Sequence, residues 1–368
     1  MLLVTASARP RRLIGAALSA LTAGVLAIGP VGPSAVATPS RWPVPDCGSV
    51  DGAGNLTFSP DAGQTLTPTT EQPAVRSTGS VVPLARQGTL LGMVDTGFSV
   101  SRDAGCSWQP LAQMPGLTQY ELDAAARDVA YAHAKNYQPI YRVTPGGVRE
   151  LQGPVDGDGV VGFWAHPHRD RVIRAVDGGG AVYESRNAGA TWSQLGELPG
   201  SLWVYDAAFS TDGTRIVVGT AGEGAWVSHD SGATWTQSPG LADTNVFEVA
   251  FGRSPQVIWS QEYHLAESGN GARKVSLSTD GGRTFTQQLD GLQIRLTNGA
   301  LVVPDPRDAD VAWIQFGTHF AGYGTDLYRY DAGTGEVITH HHPVHGINSI
   351  SFHPTDPQLL YLGITRTA

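Results

Sequence analysis

One octapeptide governs what this chain can fold into, because it occurs five times. Ser228 to Trp235 reads SHDSGATW, Ser185 to Trp192 SRNAGATW, Ser101 to Trp108 SRDAGCSW, Ser278 to Phe285 STDGGRTF and Ser59 to Leu66 SPDAGQTL. A catalytic motif is needed once. A structural unit is copied until its copies bury one another, so the repetition points to architecture.

The residues around each box supply the rest of the unit. Val204 to Phe209 and Ile216 to Thr220 are apolar and rich in β-branched residues, and Thr211-Asp212-Gly213 forms a turn between them. Ala225 to Ser228 leads into the box and Thr234 to Gln237 leads out of it. Four strands per repeat is the content of one propeller blade. The first serines of the boxes fall at 59, 101, 185, 228 and 278. The interval from 101 to 185 is twice that from 59 to 101, and IYRVTPGGVREL, Ile140 to Leu151, sits midway as a degenerate box. A last relic, LYRYDAGTGEV, starts at Leu327.

The termini complete the count. Ile347 to Thr365 reads as two inner strands with no box, whereas the box at Ser59 has no inner strands before it. Joined, they make one blade, and the expected fold is all-β: a seven-bladed β-propeller of four-stranded antiparallel blades, closed by pairing the N- and C-terminal strands. Closure removes the open sheet edges that a β protein must otherwise protect.

Within the box, Asp230 suits a turn because a short acidic side chain accepts backbone N–H bonds, and Gly232 suits positive φ. Trp235 is positioned to pack on the outer strand. The same position is held by Asp61, Asp103, Asn187 and Asp280, and a ring spreads these around its perimeter rather than gathering them into a site. The pattern S-x-D-x-G-x-T-W resembles the Asp-box (BNR) repeats of sialidases, sortilin-type receptors and some glucanases. The resemblance covers nearly all of the chain after its leader, and it implies that the boxes lie on the face opposite the ligand.

Residues 1–37 read as a secretion signal. Arg9, Arg11 and Arg12 precede the apolar run Leu13 to Ile28, and Ala35-Val36-Ala37 offers a cleavage site. An arm, 38–54, and the propeller, 55–368, follow. In an exported chain Cys47 and Cys106 are expected to form a disulfide. Losing the leader takes the net charge from -9 to -12, which argues against nucleic acid or an anionic membrane as partner. A monomer without a cofactor is expected.

A sialidase-like site needs an arginine cluster, a Tyr/Glu pair and an acid. No Arg-Ile-Pro lead-in is present; the nearest string surrounds Arg215 in an inner strand. The other arginines belong to boxes (Arg102, Arg186, Arg283) or to turns (Arg169, Arg171, Arg307). A glycosidase needs two carboxylates about 5–9 Å apart. Glu223, Glu262, Glu267, Asp177 and Asp243 are the candidates, and no spacing distinguishes a pair. In HHHPVH, His340 and His342 fall on one side of a strand, with His345 or His319 near enough to invite a metal. No cysteine or acidic partner accompanies them at fixed spacing, so a solvated strand and loop is the preferred reading.

The loops from one blade to the next, with those joining the middle strands, surround one mouth of the ring. Blade five has the long loop QEYHLAESGNGARK and blade six has GTHFAGYGTD. Together they offer Tyr263, His264, His319, Phe320 and Tyr323, and neighbouring connections add Tyr120, Trp203 and His345. Aromatics rimmed by acids suit a protein surface, with a glycan as the alternative ligand.

The Arg-rich leader, single ring and export also resemble the actinobacterial dispase autolysis-inducing protein family, through overall architecture rather than a diagnostic motif. That resemblance implies binding to a secreted neutral metalloprotease, promotion of its self-digestion, and use as a glutamine donor by transglutaminase. Seventeen glutamines against two lysines are compatible with such a donor, and Gln64, Gln72 and Gln87 lie in the less regular N-terminal part.

Overall fold

The structure, a computed structural model, describes residues 42–43, 45–47, 56–61, 67–68, 78–114, 120–135, 137–154, 159–316, 324–342, 345–353 and 356–366. These form seven antiparallel sheets of four strands each. Blade 1 runs Thr78–Pro83, Leu90–Val94, Gly97–Ser101 and Gln109–Gln113 from its inner to its outer strand. Blades 2 to 6 begin with the inner strands Glu121–Ala125, Val160–Ala165, Val204–Phe209, Thr244–Phe251 and Val302–Pro304. In blade 7 the C-terminal strands His345–Phe352 and Leu360–Arg366 are inner, and the N-terminal strands Leu56–Ser59 and Thr67–Pro68 are outer. Phe58 lies opposite Tyr361 across that seam. The seven-bladed ring, its four-stranded blades and its closure are thus as the repeats imply.

Burial follows position in the blade. Leu90–Val94, Gly97–Ser101 and Ile216–Thr220 are buried at every residue, because a middle strand is covered on both faces by neighbouring blades. Outer strands such as Gln109–Gln113 and Ser193–Glu197 are exposed or half-buried along their whole length. This is why the middle strands read as uninterrupted apolar runs.

The box of blade 4 fastens three things at once. Ser228 Oγ accepts the Gly232 N–H at 2.8 Å, and Asp230 Oδ1 accepts the Thr234 N–H at 2.8 Å while Oδ2 accepts the Thr234 hydroxyl at 2.6 Å. The Ser231 N–H donates to Thr214 O, tying the outer hairpin to the inner turn of its own blade. Gly232, at φ +90°, lies so close to Val182 of blade 3 that a Cβ would sit 2.7 Å from it. Trp235 packs against the apolar cluster that blades 3 and 4 share. Asn187 holds its box by taking the Thr191 N–H at 2.9 Å on its amide oxygen, and it donates from Nδ2 to the Thr191 hydroxyl at 2.8 Å where the acid accepts. The degenerate box is a tight hairpin instead, with Thr144 paired to Gly147 across Pro145-Gly146.

The inner turns have their own capping device. His166 Nδ1 accepts the His168 N–H and His353 Nδ1 accepts the Asp356 N–H, each at 3.1 Å. Ser210 and Asp305 do this work in blades 4 and 6. Both histidines are therefore structural. A disulfide joins Cys47 to Cys106, with the Cα atoms 5.1 Å apart. It fixes the N-terminal arm to the blade 1 box, while Trp42 packs against His353 and donates from Nε1 to the Tyr361 hydroxyl at 3.0 Å.

Candidate partner-binding face and channel

Antiparallel blades put the boxes and inner turns on one face of the ring. The loops between blades and between middle strands lie on the other. On that second face Trp203 is 64% exposed, just before the inner strand of blade 4. Tyr263 is half-buried under Arg273, whose guanidinium carbon is 5.8 Å from the ring centre. His264 is a quarter exposed, with Nε2 3.8 Å from Glu262 Oε1. Tyr120 is not a surface group: it is 5% exposed and packs between Phe98 and Tyr141, because its strand lead-in turns into the blade 1–2 core. His319, Phe320, Tyr323, Gln64 and Gln72 lie outside the described residues, as does the side chain of His345. Gln87 is exposed, on the opposite face in the inner turn of blade 1.

Sequence reasoning missed two exposed apolar residues on this face. Leu265 is 50% exposed in the long loop of blade 5, and Leu292 is 79% exposed in the connection from blade 5 to blade 6. A leucine in each of two otherwise polar loops was the available signal. The same loops enclose a cleft of about 310 Å³ lined by Asn270, Arg273, Gly291, Arg295, Leu296, Thr297 and Phe316.

The channel carries a charge cluster that no sequence spacing announces. Lys135, at the end of the second strand of blade 2, reaches Asp206 Oδ1 of blade 4 at 2.8 Å and Glu248 Oε2 of blade 5 at 3.2 Å. Asp206 also accepts the Val249 N–H at 2.9 Å, stitching two inner strands together. Burial raises the Glu248 carboxyl, the Asp206 charge adds to this, and Lys135 pulls the other way. Tyr205 and Phe247, the bulged residues beside these acids, pack with ring centres 4.8 Å apart.

The candidate carboxylates do separate jobs. Asp177 accepts the Gly179 and Ala181 N–H groups of its own turn at 3.0 and 2.9 Å. Glu262 is fully buried, takes hydroxyl bonds from Ser260 and Ser276, and is raised by that burial. Glu267 pairs with Lys274, and the Glu223 carbonyl binds the Gln237 amide. Asp243 sits in a turn at φ +58°. These contacts place the five in turns, an ion pair and a buried network, and His264 lies between two of them, 3.8 Å from Glu262 Oε1 and 4.0 Å from Glu267 Oε1.

His341 Nδ1 meets Asp326 Oδ1 at 2.7 Å, while His340 stacks on Trp313 from the other side of the strand. Among the described residues no three His, Cys, Asp or Glu side chains come together as a metal would require. No helix among them is long and apolar enough to cross a membrane.

The dispase autolysis-inducing protein of Streptomyces mobaraensis is 37% identical over 369 residues, covering 96% of this chain and 98% of that one. This chain belongs to its family. No family model matches the sequence. Among solved structures, YCF48 from Cyanidioschyzon merolae has a TM-score of 0.56 at 13% identity, covering 79% of this chain and 96% of that one. YCF48 bound to D1 peptide gives 0.56 at 15%, covering 80% and 95%. An ancestral GH74 enzyme gives 0.51 at 16%, covering 76% of this chain and only 40% of the enzyme. At such identities these structures share the propeller fold with the family member described here, and nothing of activity follows from them.

Proposed function

We propose that this chain is a secreted, non-catalytic propeller that binds a neutral metalloprotease through the loop face and promotes the protease's autolysis. The observation that carries this reading is the 37% identity, held over almost the full length of both chains, to a protein named for inducing dispase autolysis. Trp203, Leu265 and Leu292 supply the exposed apolar groups at that face, and Tyr263 and His264 lie between them in sequence. Apolar anchors within a polar surround are what a protein interface uses. The leader signature of residues 1–37 supports export.

The test is to follow intact protease with time, with and without the purified chain, by gel and residual activity. Acceleration by the chain, lost in a Trp203→Ala, Leu265→Ser, Leu292→Ser variant that melts normally, is the expected result. An unchanged decay curve with the wild-type chain rejects the reading.

Glutamine donation to transglutaminase belongs to the same proposal, and the lysines favour it. Both are engaged by carboxylates, Lys135 by Asp206 and Glu248 and Lys274 by Glu267. An ammonium held this way is a poor acceptor, so the chain would be labelled at glutamines without linking to itself.

A further inference from the structure

The cleft between blades 5 and 6 has a chemistry that the protease-binding reading does not use. Its wall is built, not loosely draped. The Gly291 N–H donates to Arg273 O at 2.9 Å, and the Arg295 N–H meets the Tyr328 hydroxyl at 3.3 Å. The Gly299 N–H is taken at 2.8 Å by Oε1 of the fully buried Gln261. Gly291 is required there, because a Cβ would lie 2.2 Å from Asn270 O.

Arg273 is aimed and held by neutral groups. Its Nε donates to Asn298 Oδ1 at 2.9 Å, one terminal nitrogen donates to Asn270 Oδ1 at 3.2 Å, and the plane lies over Tyr263. Among the described residues no carboxylate pairs with it. The neighbouring acids are committed elsewhere: Glu267 to Lys274, and Asp290 to the Leu292 and Gln293 N–H groups of its own turn. In a chain with a net charge of -9, a fixed guanidinium facing a cavity with neutral partners alone is an anion receptor in its resting state. Arg295 also lines the cavity, and Leu296 and Phe316 supply an apolar wall beside Arg273.

We infer that this cleft binds the C-terminal end of a peptide, taking the α-carboxylate on Arg273 and an apolar last side chain on Leu296 and Phe316. The apolar wall decides between kinds of carboxylate. In an aspartate or glutamate side chain the carboxylate is the tip and carries nothing apolar beyond it. A chain end places an α-carboxylate and a hydrophobic side chain on one carbon. A volume of about 310 Å³ accommodates about one residue, at the small end of ligand pockets.

The assignment is independent of whether a metalloprotease binds, and its test uses no protease. A fluorescein-labelled hexapeptide ending in leucine is titrated into the full chain, purified from an exporting host, and anisotropy is read. The free acid is expected to bind about tenfold or more tighter than the same peptide amidated at its C-terminus. Arg273→Gln is expected to weaken the acid by about the same factor and to leave the amide unaffected. Equal binding of acid and amide on the wild-type chain overturns the assignment whatever the variant does, and so does absence of binding at millimolar peptide. Hydrocinnamate serves as the free small acid. Displacement of the peptide only at far higher concentration supports a chain end, and displacement at equal concentration overturns it in favour of a small carboxylate.

Discussion

At the scale of single residues, the box divides its labour between a serine and an acid. The serine hydroxyl takes the glycine N–H inside the loop, at 2.8–2.9 Å in the boxes of blades 1, 3, 4 and 5. The acid takes the N–H two residues further on, with the neighbouring hydroxyl. At Asp280 partial burial works against ionisation, but bonds from the Thr284 hydroxyl and N–H and from Ser278 outweigh it and bring the group to about 2. Asp103 and Asp230 are held below the usual carboxylate range by the same kind of contacts. A carboxyl lowered in the folded state adds stability above its unfolded value, near 4, and that stability drains away as pH falls toward 2. Asn187 shows that an amide closes the box without a charge. Asp280→Asn is therefore expected to melt close to wild type at pH 7 and to lose less between pH 4 and pH 2, read from thermal unfolding across that range. A steeper acid limb in the variant would contradict this.

At the scale of elements, the arm matters because blade 7 is assembled from both ends of the chain. Its outer strands contribute only Leu56–Ser59 and Thr67–Pro68, so they need fastening from outside the sheet. Cys47–Cys106 and the Trp42–Tyr361 contact supply that, joining the arm to blades 1 and 7. The cysteines are 59 residues apart, and closing a loop of that length is worth about 4 kcal/mol in the chain-entropy account. Cys47→Ser with Cys106→Ser is expected to lower the urea midpoint accordingly and to make the N-terminal segment the first site of limited proteolysis. Proteolysis starting elsewhere would show that the seam does not depend on the bridge.

At the scale of the molecule, Lys135 links blades that are not adjacent, since it sits on blade 2 and its partners are on blades 4 and 5. Removing it leaves Asp206 and Glu248 together, with Glu121 of blade 2 contributing further negative charge. Both carboxyls are already raised by burial, and without the ammonium they rise further. A raised carboxyl holds its proton first in the folded state, so stability returns as pH falls. Lys135→Met is expected to lose about 3 kcal/mol at pH 8 and much less at pH 5, measured as urea midpoints at the two values. An equal loss at both would mean that the lysine acts by packing alone.

Strand positions were legible from residue pattern, because a strand covered on both faces must be apolar throughout and a box must carry Ser, an acid or amide, and Gly. Val204–Phe209, Ile216–Thr220 and Ala225–Ser228 stand where the pattern puts them. The seven-fold count and the closing seam followed from spacing, since an incomplete blade at each end has only one way to be completed. The site was less legible. Tyr120 looked like a loop aromatic and is buried, since burial depends on which way a connection turns and not on what it contains. Arg273 and Arg295 come from different loops, and Lys135 meets acids 71 and 113 residues away. Repetition along the chain specifies a blade, because a blade is built from local pairings. What faces the channel and the cleft is set by closing the ring, which brings together residues that no local rule relates.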